Sequence, residues 1–156
     1  MNYSTNKKLI KSGDVILWSG SGFSARVVRL FTRSRWSHVG IAVWWGDRLM
    51  VLDSYPFKGT RARLLSHDLK NAFWLPSGAN WSRRAQGFAL DELDKRYSFQ
   101  NLWKTLWGLN LVKKEYHCAQ YVAAVLSKAG ILLTAPATPE SIATELNAEI
   151  KALEGE

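Results

Sequence analysis

Residues 37–56, SHVGIAVWWGDRLMVLDSYP, decide how this chain is read. Two runs rich in β-branched and aromatic residues flank Gly46-Asp47, and a two-residue Gly-Asp link between such runs predicts a tight antiparallel hairpin. With Gly46 and Asp47 in the turn, Trp45 faces Arg48, Trp44 faces Leu49, Ala42 faces Val51 and Gly40 faces Asp53. Side chains alternate between the two faces of a strand. His38, Gly40, Ala42 and Trp44 therefore share a face with Leu49, Val51, Asp53 and Tyr55. His38 stands opposite Tyr55, with Asp53 as its diagonal neighbour at roughly 7–8 Å between Cα atoms, within side-chain reach. Gly40 is expected to leave an open spot beside the imidazole. A one-residue slip would send the whole set to the other face. An imidazole and a carboxylate on one face are either a core histidine satisfied by an acid or part of a site, and the hairpin alone leaves both open.

Outward from the hairpin, GDVILW (13–18) reads as a short strand after a turn glycine, and FSARVVRLFTR (23–33) as an amphipathic helix. TRARLLS and NAFWLPSG are candidate strands. WSRRAQGFALDELDKRY (81–97) and SFQNLWKTLWGL (98–109) are expected to be helical. EYHCAQYVAAVLSKAG predicts a helix stopped at Gly130. Thr138 and Pro139 read as the N-cap and first residue of a last helix. Strands first and helices afterwards make this an α+β chain with an antiparallel sheet, and residues 1–156 are expected to form a single domain.

Cys118 is the single cysteine. A thiol attacks as thiolate, and its free pKa of about 8.5 must fall for fast chemistry at neutral pH. A helix N-terminus and a nearby imidazolium both lower it. Cys118 lies at a helix start, followed by Tyr121, Val122, Val125 and Ala129 on one apolar stripe. If that stripe packs on the His38 face of the hairpin, the imidazolium is present too, and Asp53 would orient it. The alternative is a small buried hydrophobe. His117 is not expected to be the base, because one residue along a helix is about 100° round its axis. His67 reads as a loop or surface histidine. No CxxC or HxxxH spacing supports a metal site, and no metal or cofactor is expected.

The chain carries a net charge of +8, spread unevenly. Residues 1–114 hold 19 Lys and Arg against 7 Asp and Glu, a net of +12, and residues 115–156 hold 2 against 6, a net of −4. Such a basic part either meets an anionic surface or serves solubility. No block of five basic residues marks a dedicated nucleic-acid arm. One cysteine forms no internal disulfide, and neither a signal peptide nor a membrane span is visible, so a cytoplasmic protein is expected.

In order along the chain, GDVIL, a glycine-containing loop and helix, SHVGIAV, VLDS, RYSF, HCAQYV and TPESIA resemble the circularly permuted branch of the NlpC/P60 papain-like superfamily, its YiiX/YebB-like group above all. The resemblance spans roughly residues 12–146 and rests on the order of the motifs, histidine before cysteine. It implies a papain-like core with a central antiparallel sheet packed on the helix that carries the cysteine. By position it implies Cys118 as nucleophile, His38 as base, Asp53 as the polar third member and Tyr97 as a residue lining the substrate site. The NCEHF motif of the related lecithin:retinol acyltransferase group is absent. The reaction implied is hydrolysis or transfer at an amide or ester carbonyl through a thioester.

A peptidase or amidase acting on a small-molecule or peptide substrate is the first expectation. A lipid-directed thioesterase or acyltransferase on the same three residues is the second. The third is a non-catalytic module binding a polyanion or cell-wall polymer, with Trp18, Trp36, Trp44, Trp45, Trp74 and Trp81 as stacking surfaces.

Overall fold

The computed structural model describes residues 7–20, 34–55, 58–96 and 117–154. The helices expected over 23–33 and 98–109, and Tyr97, lie outside the described residues. Among the described residues five strands run, β1 Val15–Trp18, β2 His38–Trp45, β3 Arg48–Tyr55, β4 Gly59–Leu64 and β5 Ala72–Leu75. They form one sheet in the order β4-β3-β2-β1-β5, antiparallel at every junction. A 3-10 turn, Leu65–His67, leaves His67 exposed as expected. Three helices follow among the described residues: α1 Arg83–Asp91, α2 Cys118–Lys128 and α3 Pro139–Glu154. No helix among them is long and apolar enough to cross a membrane.

The hairpin has the register that its turn dictates. Trp45 pairs with Arg48, Trp44 with Leu49 and Ala42 with Val51. Gly46 takes a φ of +60° while Asp47 does not enter the left-handed region, the pattern of a turn with glycine at its first central position. Gly40 departs from expectation. A Cβ there would stand 2.7 Å from Val51 Cγ2 and 3.0 Å from the Leu52 carbonyl. The space above it is filled by β3, so glycine serves close strand packing and leaves no opening beside the imidazole.

Alternation along the strands builds two cores. On one face Ile16, Trp18, Ala42, Leu49 and Val51 pack with Ile10 and Leu65. On the other, Val15, Leu17, Val39, Ile41 and Leu52 pack under Tyr121, Val122, Val125 and Leu126 of α2 and Ile142 and Leu146 of α3. The apolar stripe of α2 is thus buried as its spacing predicts, but on the face opposite the one that carries His38 and Asp53. Only the first residue of the helix serves the site.

Local chemistry sets the ends of the helices. Ser82 Oγ accepts from the Ala85 N–H at 3.3 Å and opens α1. That helix stops at Asp91 instead of running to 97, because Asp94 adopts φ +62° and the chain turns onto β4. There the Asp94 N–H donates to the Thr60 carbonyl at 2.7 Å and the Thr60 N–H to the Lys95 carbonyl at 2.8 Å. Gly130, at φ +91°, follows α2, and Thr138 Oγ1 accepts from the Ser141 N–H at 3.0 Å at the head of α3.

Candidate active site

His38 is the first residue of β2 and Cys118 the first of α2, and the two meet where their elements begin. Cys118 is 6% exposed. Its backbone N–H belongs to the first turn of the helix, where donors have no carbonyl of their own helix to bond. His117 is the N-cap, in extended geometry at φ −85° and ψ 167°, and shares a reciprocal capping box with Gln120. The helix dipole therefore points its positive end at the sulfur.

His38 is held from both sides. Its Nε2 lies 2.9 Å from Asp53 Oδ2, so Nδ1 is the nitrogen left for the sulfur. The Trp18 and Tyr55 rings flank the imidazole, with centroids 5.4 and 5.2 Å away. Asp53 has no exposed surface, and it has company that the sequence reading missed. Arg61 Nε sits 3.2 Å from its Oδ1, and Arg63 Nε and Nη2 sit 2.9 and 2.8 Å from its Oδ2. Arg61 is the direct cross-strand partner of Asp53.

These contacts set the protonation of the site. Burial would push the Cys118 thiol up, but hydrogen bonds from His117 and then His38 outweigh it and bring the thiol down to about 6. Burial would likewise lower the His38 imidazole, yet the Asp53 hydrogen bond and then the Cys118 sulfur hold it up at about 9. Burial would raise Asp53, and His38 and Arg63 together hold it well below the usual carboxylate range. A thiolate beside an imidazolium, oriented by a carboxylate at the head of a helix, is an arrangement suited to nucleophilic attack on a carbonyl.

The structure thus brings His38, Asp53 and Cys118 together. His117, expected to point away, instead bonds the sulfur: as N-cap it stands outside the helix, and the 100° step between helical neighbours does not apply to it. Arg61 and Arg63 carried one signal, their spacing of two on a candidate strand, which puts both on one face. The register of β4 on β3, which aims them at Asp53, had no such short-range marker. Among the described residues no group of three or more His, Cys, Asp or Glu is arranged to hold a metal ion.

Of the six tryptophans considered as a stacking surface, Trp18 and Trp36 are buried and Trp44, Trp74 and Trp81 half-buried. Trp44 Nε1 donates to the Ile10 carbonyl and Trp74 Nε1 to Asp14 Oδ2. Trp45 alone of the six is exposed.

The fold has a counterpart among solved structures. The crystal structure of the metalloprotein yiiX from Escherichia coli O157:H7 matches with a TM-score of 0.62 at 17% identity, over 79% of this chain and 68% of that one. At that identity the likeness speaks for the fold. No curated protein matches the sequence. Residues 9–149 match the model of a family described as permuted papain-like amidase enzymes, YaeF/YiiX, C92. This chain, with its α+β core and its cysteine at the head of α2, belongs to that family of permuted papain-like amidases.

Proposed function

We propose that the protein hydrolyses an amide or ester bond through a thioester on Cys118, with His38 as general base and acid and Asp53 as the group that orients it. The observation that carries this reading is the placement of one imidazole between a buried carboxylate and the sulfur at a helix start. In the first half-reaction the Cys118 sulfur attacks the carbonyl carbon, and the oxyanion is met by backbone N–H groups, that of Cys118 among them. As the C–N or C–O bond breaks, His38 gives its proton to the leaving amine or alcohol. In the second, His38 takes a proton from water while the oxygen attacks the thioester. The S–C bond then breaks, the acid leaves and the thiolate returns.

The yiiX structure is described as that of a metalloprotein. The residues present here do not fit a metal at this site: both oxygens of Asp53 face guanidinium groups, and no metal-binding cluster stands among the described residues.

A lipid acyl substrate is the second reading, favoured by the exposure of Leu9 and Trp45 near the basic Lys7 and Arg48. These residues lie at the turn end of β2, about 23 Å along the strand from His38. A surface bound there does not present its acyl group to the sulfur, so the amide reading is preferred.

The test is hydrolysis of a panel of aminoacyl and peptidyl amides by the wild-type protein and by Cys118→Ala. Turnover in the first and none in the second, with equal thermal stability, supports the reading. Undiminished turnover in Cys118→Ala sinks it.

A further inference from the structure

The carboxylate that His38 uses is shared. Oδ2 of Asp53 receives His38 Nε2 at 2.9 Å and Arg63 Nε at 2.9 Å, with Arg63 Nη2 in ion-pair contact at 2.8 Å, while Oδ1 receives Arg61 Nε at 3.2 Å. Arg63 is itself fixed by Asp68, whose Oδ2 lies 2.8 Å from Nη1. The two guanidiniums also lie over the two rings that flank the imidazole: Arg63 is 4.9 Å from the Trp18 ring and Arg61 4.7 Å from that of Tyr55. The charged and titratable groups around His38 are thus Asp53 and Tyr55 from β3, Arg61 and Arg63 from β4, Asp68 beyond it, and His117 and Cys118 at α2.

We propose that Arg61 and Arg63 are positioning residues that divide the charge of Asp53 with His38, so that the imidazole gives up its proton once the sulfur is acylated. The proposal deepens the reading of Cys118 and His38 as nucleophile and base, and rests on it. During acylation the imidazolium has a thiolate on one side and a carboxylate on the other. When the S–C bond has formed and the leaving group has taken the imidazolium proton, the negative charge on sulfur is gone. Attack by water now needs a neutral His38 to accept the water proton as the O–C bond forms. A buried carboxylate with no other partner would hold a proton on the imidazole at that stage, since a unit charge within 4–6 Å moves a pKa by about 1–3 units. Two guanidiniums on that carboxylate oppose its field. Arg63 is held between Asp53 and Asp68 by Nε and Nη1, and the Tyr55 and Trp18 rings keep both guanidiniums in place.

The alternative is that the arginines only neutralise a buried acid for the sake of folding. Titration of the His38 ring by NMR separates the two. The chain has three histidines, so the signals are assignable by single substitution. Cys118→Ala removes the thiolate and reproduces the charge of the acylated stage. In that background, Arg63→Gln should raise the His38 pKa by about one pH unit, and Arg63→Lys, which keeps the charge and loses the fork, should bring it back. An unchanged His38 pKa in Arg63→Gln, as a purely structural role requires, overturns the proposal. So does a lowered one, which would mean that Asp53 had come loose from the imidazole. If Arg63→Gln fails to fold, Arg61→Gln on the other oxygen is read in the same way. Failure of the nucleophile and base reading appears separately. It would be the absence of an acetyl adduct on Cys118, by mass spectrometry, after 4-nitrophenyl acetate is added to the wild-type protein.

Discussion

His117 and Cys118 are neighbours in the chain whose side chains meet because the helix begins between them. His117 stays extended and caps, Cys118 takes the first helical position, and the imidazole beside it favours the thiolate. Replacing His117 by Asn keeps a good capping side chain and removes the imidazole. The thiol should then rise from about 6 toward its ordinary range. Alkylation by iodoacetamide near pH 6 should slow by roughly tenfold for each pH unit of that rise, with little change in thermal stability. An unaltered rate profile in His117→Asn would leave His38 as the sole activating group.

The wild-type thiol should react over a defined pH window. Its alkylation rate should climb as the pH rises through about 6, where the thiolate forms, and change again near 9, where the imidazolium loses its proton. Both inflections belong to the coupled pair and not to either residue alone. In His38→Ala the lower inflection should move up, because the imidazolium no longer favours the thiolate. A single inflection near the free-thiol value in the wild type would mean that the pair does not form.

Asp53→Asn should destabilise the fold. It leaves Arg61 and Arg63, with side chains 27% and 16% exposed, facing an uncharged amide. A loss of about 3 kcal/mol is expected, at the low end for a broken buried pair because both arginines keep some water. The pH dependence has a fixed sign. Since Asp53 is depressed in the folded state, its contribution is complete above its ordinary value of 3.8 and declines as the pH falls from there toward the folded value. Urea denaturation at pH 7 and pH 3 should show the variant closing on the wild type as the pH drops. A constant gap would place the effect in packing and not in charge.

Gly40→Ala should cost about 1–3 kcal/mol, as overpacking does in a filled core. The added methyl meets Val51 Cγ2 and the Leu52 carbonyl, and the backbone oxygen cannot turn aside. Because Asp53 Cβ is only 3.2 Å from the same point, the reactivity of Cys118 should fall along with the urea midpoint. A variant of full stability and full reactivity would show that β3 yields freely at this point.

The hairpin was legible because its turn and its period are both local. Gly46-Asp47 fixed the register, and the register placed His38 beside Asp53. The stripe of α2 was legible for the same reason: Tyr121, Val122 and Val125 are all fully buried. What they pack against was not, because a helix spacing states that a face is apolar and not which surface covers it. Arg61 and Arg63 depended on how β4 meets β3 across residues 56–58, a link with no turn signature of fixed length. The role of His117 hinged on a helix boundary one residue wide, and boundaries are the least determined feature of any sequence pattern.

One tie across the fold bears on how the protein comes to be active. Glu140, at the start of α3, accepts from the Ser34 hydroxyl at 2.9 Å, across 106 positions of chain, just ahead of the strand that opens with His38. The imidazole and its carboxylate sit only 15 positions apart and can come together with a single hairpin. The sulfur joins them only when the C-terminal helices have docked on the far side of the sheet. Contacts of such long range form late, after loop closure has been overcome. The lowered pKa of the thiol therefore depends on the docking of the C-terminal helices. Until those helices dock, Cys118 has neither the helix start nor the imidazoles that lower its pKa, and it behaves as an ordinary cysteine.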